Sequence, residues 1–191
     1  MTTNTKTKTK KTQTKLDLPD NPFLHEVLGL VSKQRTIAKK VEVLKKYGHE
    51  SVKAVLIWNF DETVISVLPE GDVPYGDVKD DMSHTGSFSD DIKNKAGASE
   101  NASAMNQDLD GRGRTSLRRE WVNLYHYIRG GNDALTRTRR EMMFIGLLEK
   151  LHPKEAEILV LVKDKLLETK YKLNKSVVQQ AYPDISWGNR S

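Results

Sequence analysis

The 191-residue chain has no cysteine. Disulfides, thiolate zinc sites and cysteine nucleophiles are therefore excluded, and the lack of disulfides fits a reducing cytoplasm. No apolar run approaches the ~20 residues needed to span a bilayer, so no membrane segment is expected. No apolar stretch follows the N-terminal lysines, so no secretory leader is expected either. Without that route, the sequon Asn101-Ala102-Ser103 reads as chance. Acid is missing from residues 1–16, which hold Lys6, Lys8, Lys10, Lys11 and Lys15. Those five lysines account for the whole net charge of +5. The other 175 residues balance, with 26 basic and 26 acidic groups, so the pI of 9.2 describes a tail and not a basic domain.

Constellations for catalysis or metal binding are also scarce. The five histidines are His25, His49, His84, His126 and His152, and no two lie three to five residues apart. They read as surface or helix-end residues, and no metal, cofactor or catalytic residue is expected. Acid pairs such as Asp61-Glu62 and Asp80-Asp81 have no identifiable acid–base partner. Gly111-Arg112-Gly113-Arg114 is neither a Walker loop nor a dinucleotide fingerprint; it reads as a hinge, although Gly-Arg segments bind RNA weakly.

What is present is helical periodicity. The fold class expected is all-α, with about six to eight short helices in a single domain over 20–191. Residues 1–19 form a Lys/Thr tail with no apolar face and are expected to be disordered. Asp20 or Asn21 caps the first helix, whose inward stripe is Leu24, Val27, Leu28 and Val31. A second helix starts near Thr36 with Ile37, Val41 and Leu44 inward. A third runs from Glu50 with Val52, Val55, Leu56 and Phe60. Val64, Val67 and Leu68 suggest a short fourth, ended by Pro69-Glu70-Gly71.

The stretch 76–114 is rich in Gly, Ser, Asn and Asp and reads as a disordered acidic insertion. Helices resume at Ser116, with Leu117, Trp121, Leu124, Tyr125 and Ile128 on one face, so Trp121 and Tyr125 read as core residues. After Gly130-Gly131, Asn132 or Asp133 caps a helix carrying Phe144, Leu147, Leu148 and Leu151. Pro153 opens the next, with Ile158, Leu159, Val162 and Leu166 inward. A last helix spans Lys175 to Ala181. Lys170 to Leu173 reads as extended, outside any sheet.

Charge is sorted along the balanced body. Between Asp61 and Asp110 there are 12 acids and 3 lysines, a net of −9, whereas residues 111–140 net +6 with 8 of the chain's 10 arginines. Three readings of the arginine block follow: a solvated helix surface with ion pairs, arginines screened by the acidic insertion, or a phosphate-binding face. Candidate electrostatic contacts are Arg112, Arg114, Arg118 and Arg119, with the tail lysines Lys6, Lys8, Lys10, Lys11 and Lys15. The candidate binding face is Arg137, Arg139, Arg140 and Glu141. Arg137 and Arg140 continue the stripe of Phe144, Leu148 and Leu151, which suggests arginines snorkelling at the core edge or pairing with acids on a neighbouring helix, with a ligand site as the rival reading; Arg137 with Glu141 is also an i,i+4 pair.

Several segments resemble an uncharacterised family of small proteins from T4-like tailed phages, of the type that infects cyanobacteria. The first block is Phe23-Leu24-His25-Glu26-Val27-Leu28 through Thr36, then Lys45, the stretch from Phe60-Asp61 to Leu68-Pro69-Glu70-Gly71, and Pro74-Tyr75. The second is Gly130-Gly131, Arg139-Arg140-Glu141, Phe144-Ile145, Leu147-Leu148-Glu149, Glu155-Ala156-Glu157, Lys163-Asp164-Lys165 and Val177 to Pro183. The likeness covers most of 21–78 and 117–185, but not the tail or the acidic insertion. Val73-Pro74 stands where the family has a double proline. The resemblance implies a phage source and a helical fold, brings no known activity, and makes Arg139, Arg140 and Glu141 part of a family pattern.

The function expected is that of a non-enzymatic helical protein-interaction module acting during infection in the host cytoplasm, its partner a phage or host protein. One alternative is a nucleic-acid-binding accessory factor in replication, transcription or packaging, using the Arg112–Arg140 block. Another is a minor virion or assembly component.

Overall fold

A computed structural model describes residues 18–71, 73, 75 and 114–188. Eight α-helices follow in order: α1 (Leu24–Lys33), α2 (Ile37–Lys46), α3 (Glu50–Phe60), α4 (Leu117–Glu120), α5 (Arg137–Lys150), α6 (Pro153–Lys163), α7 (Leu167–Tyr171) and α8 (Lys175–Ala181). Between α4 and α5, Trp121–Tyr127 continues α4 as a 3₁₀ helix. The described residues contain isolated β-bridges but no strand. The disorder expected for the tail and the acidic insertion concerns segments that lie almost wholly outside the described residues.

Two helices are central because they are apolar nearly all round. In α6, Ala156, Ile158, Leu159, Val160 and Val162 are buried, and in α3 Val52, Val55, Leu56 and Trp58 are. These two helices pack on each other; α6 also meets α1, α5 and α7, while α3 meets α4 and the 3₁₀ helix. The α2 helix packs on α1 and α8. The stripes expected for α1 and α5 face the core as read.

Buried polar side chains on the central pair supply helix caps that the N-cap side chains do not. Neither Phe23, the N-cap of α1, nor Ser116, the N-cap of α4, caps its helix with its side chain. The Glu155 carboxylate in α6 does so for both. Its Oε1 accepts from the Leu24 N–H and its Oε2 from the Leu117 N–H, each at 2.9 Å, and the residue is fully buried. Burial raises the Glu155 pKa, opposed by these two N–H bonds. Likewise Asn59 in α3 accepts from the first N–H of α7, Leu167, at 3.1 Å. At the other end of α6, the ammonium of buried Lys163 donates to the carbonyls of Pro69 (2.7 Å) and Gly71 (3.0 Å) and pairs with Asp164. That clamps the turn in which Gly71 takes φ +88°.

Several expectations are corrected. The first helix starts at Leu24, so Asp20 and Asn21 lie upstream of its cap. Residues 64–68 are extended and not helical: Val67 donates to the Tyr127 carbonyl and Arg129 to that of Ile65, which fixes the bridge Ser66–Ile128. Thr136, not Asn132 or Asp133, caps α5. Lys170 and Tyr171 are helical. Ile37 and Leu166 are exposed, the first in the opening turn of α2 and the second between α6 and α7.

Both central helices begin with histidine. The Nδ1 atoms of His49 and His152 accept, each at 3.1 Å, from Ser51 N–H and Lys154 N–H. His152 also stacks on His25 at 4.5 Å between ring centroids, beside Phe23. Burial, with repulsion from His152, Lys154 and Lys170, holds His25 down at about 4. Burial also lowers His49 and His152. An unfolded histidine titrates near 6.5, so on acidification the unfolded chain takes up protons first and stability falls from about pH 6.5 through pH 4. Protonation also turns each capping Nδ1 from acceptor to donor. Thermal melts should therefore show wild type losing more stability between pH 6.5 and 4.5 than His25→Phe, which keeps the ring stack, or His152→Asn, which keeps a cap acceptor. Parallel curves would refute the assignment; the opposing contribution of Glu155 is common to all three proteins.

Candidate interaction surface

The 3₁₀ helix sets the character of this surface. With about three residues per turn, Trp121, Leu124 and Tyr127 align on one face. Leu124 and Tyr127 are buried and Trp121 is half-buried. An α-helix would have turned Tyr125 inward, as its spacing suggested; the tighter winding leaves it 45% exposed, with Val122 at 53%. This is a further correction, since Tyr125 is not a core residue. The helix ends at a turn that tolerates no side chain. Gly130 has φ +75°, and a Cβ on Gly131 would lie 1.8 Å from the Tyr125 carbonyl oxygen.

Arg140 holds that turn. Its Nε donates to the His126 carbonyl and its Nη2 to the Asn132 carbonyl, both at 2.8 Å. The side chains of Asn132 and His126 close the same loop at 2.9 Å. Arg140 is thus a positioning residue that supports the 3₁₀ helix from α5. Arg137 pairs with Glu141 at 2.7 Å on the exposed face of α5, as its spacing predicted.

A groove lies on each side of the 3₁₀ helix. Toward α5, a cavity of about 940 Å³ is lined by Tyr127, Arg139, Met142, Met143, Leu147 and Lys150, among others. Met142 at its edge is 68% exposed. Toward α3, a cavity of about 720 Å³ is lined by Trp58, Trp121, Val122, Tyr125 and Ile185, with Lys53 among its polar residues. Lys53 pairs there with Asp184 and Glu50.

The candidate residues named from sequence therefore separate. Arg139 lines the α5 groove; Arg137, Arg140 and Glu141 are engaged in the contacts described. Arg114, Arg118 and Arg119 converge on a third groove, of about 460 Å³, with Asn21, Pro22 and Phe23. Arg112 and the five tail lysines lie outside the described residues. Among the described residues no group of three or more histidines and carboxylates is placed to hold a metal ion. No described helix is long and apolar enough to cross a membrane. Sequence reasoning missed Val122 and Met142, whose exposure depends on winding and packing, and the support from Arg140.

A family of unknown function, DUF6433, matches residues 27–86 and 85–169. The chain belongs to this family. The DUF6433 match takes in the 3₁₀ helix, Arg114, Arg118, Arg119, all of α5 and Glu155, and it runs through the acidic insertion that the motif resemblance left out. No curated protein and no solved structure matches the chain.

If Arg140 carries the turn, Arg140→Ala should destabilise the fold by about 1–3 kcal/mol and speed amide exchange at residues 126–132. Arg137→Ala should change stability by no more than about 0.5 kcal/mol. Equal effects of the two substitutions in urea unfolding would contradict this division of roles.

Proposed function

We propose that this chain is a non-enzymatic helical interaction module of a T4-like phage, which grips a phage or host protein in the infected cell. The contact surface is the 3₁₀ helix with its two flanking grooves. The observation that carries this reading is the exposure of Val122, Tyr125 and Met142 around half-buried Trp121. Protein interfaces favour aromatic side chains and methionine at their centres and polar groups at the rim. Here the rim supplies Lys53, Glu50 and Asp184 on one side and Arg139, Glu120 and Lys150 on the other. A surface held rigid from behind by Arg140 and Gly131 also loses little entropy on binding. The phage source rests on the motif resemblance.

Affinity purification from infected cells, with mass spectrometry, tests the reading. Wild type should retain a defined phage or host protein, and Val122→Asp/Tyr125→Ala, at an unchanged melting temperature, should lose it at least tenfold. Equal retention by the variant would remove the surface from consideration. Turnover of a nucleotide or nucleic acid by a chain that retains no partner would overturn the proposal. Recovery of the chain in purified particles would make the partner a virion component.

A further inference from the structure

The third groove has a different chemistry. Among the described residues its lining is Asn21, Pro22, Phe23, Arg114, Thr115, Ser116, Arg118 and Arg119, which gives three guanidinium groups and no carboxylate. The acids Glu155, Glu26 and Glu120 adjoin it: Glu155, fully buried, already accepts from Leu24 and Leu117, and Glu26 accepts from the Phe23 N–H at 2.8 Å. Thr115 donates to Glu120 at 2.8 Å, so that hydroxyl also holds one acid in place. Ser116, the N-cap of α4, does not use its hydroxyl to cap the helix. Among the described residues, neither Arg118 nor Arg119 forms an ion pair.

The groove does not stand alone. The Arg114 N–H donates to the Lys150 carbonyl at 2.8 Å, and Lys150 lines the α5 groove together with Arg139. Cationic residues therefore line both adjoining grooves, Arg114, Arg118 and Arg119 in one and Lys150 and Arg139 in the other, where Glu120 also lies. A single phosphate needs one arginine fork or two; cations spread over two adjoining grooves, led by Arg118 and Arg119, suit a repeating anion. From this arrangement we propose that the Arg114–Arg118–Arg119 groove binds the phosphodiester backbone of a single-stranded nucleic acid, which continues past Lys150 toward Arg139. The contacts are to phosphate, so little sequence preference is expected. The proposed strand path shares Lys150 and Arg139 with the rim of the protein contact assigned to the 3₁₀ helix, but its decisive residues, Arg118 and Arg119, lie outside that contact.

Fluorescence anisotropy with a labelled 20-nucleotide single strand tests it on the full chain. Arg118→Ser/Arg119→Ser should weaken binding at least tenfold in 50 mM salt and flatten the log–log salt dependence by roughly 1.4, at about 0.7 per lost phosphate contact. Arg119→Ser alone, at an exposed position, keeps the test valid should the double variant melt early, and should lose at least threefold. Replacing the five tail lysines by alanine should lower affinity yet leave the arginine dependence intact. Equal binding by wild type and both arginine variants, or no wild-type binding at 50 mM salt, would overturn the proposal. So would a groove that takes inorganic phosphate but no oligonucleotide, or one that prefers a polyglutamate peptide to the strand.

Discussion

One carboxylate, that of Glu155, joins three helices. It sits in the first turn of α6 and accepts the first helical N–H of both α1 and α4. A buried carboxylate left unbonded would be costly, and so would two buried N–H groups at helix ends. Each defect corrects the other. The two N–H groups come from segments separated by more than ninety residues of chain, so the bond fixes tertiary arrangement and not only local winding. Removing the acid alone would orphan both donors and so destabilise the arrangement of all three helices.

The surfaces follow from that junction. Glu155 fixes where α4 begins, and α4 runs without a break into the 3₁₀ helix. Arg114, Arg118 and Arg119 surround this start, while Val122 and Tyr125 emerge one to two turns later. Arg140 and Gly131 fix the far end. A short helical rod is therefore held at both ends, with a basic groove at one end and apolar grooves along its length. That geometry accounts for two different contact chemistries within about a dozen residues. The net charge of the whole chain reveals neither.

Legibility in the sequence depended on helix type. Regular α-helices with one apolar face, such as α1 with Leu24, Val27, Leu28 and Val31, were readable because spacing and packing agree. The 3₁₀ segment was not, because Trp121, Leu124, Tyr125 and Ile128 fit the α period equally well in seven or eight residues. Val64 to Leu68 misled for a related reason: in five residues, positions 64 and 68 share a face under either period. Glu155 was visible only as part of Glu155-Ala156-Glu157, and a glutamate in a first helical turn normally faces water. The signal that could have identified it is its helix, where Ala156, Ile158, Leu159, Val160 and Val162 leave almost no solvent side. For Arg140 the helical spacing left snorkelling, acid pairing and a ligand site open; its carbonyl partners His126 and Asn132 belong to a loop whose path the sequence does not encode locally.

Hydrogen exchange at the Leu24 and Leu117 amides in wild type and Glu155→Gln tests the central role of Glu155 most directly. A glutamine offers one acceptor oxygen where two N–H groups now have one each. Both amides should be among the slowest to exchange in wild type. In Glu155→Gln at least one should speed up by a factor of ten or more, with protection in the middle of α3 falling less. If both amides exchange in wild type as fast as exposed loop amides, or are unchanged by Glu155→Gln, the carboxylate does not join these helices.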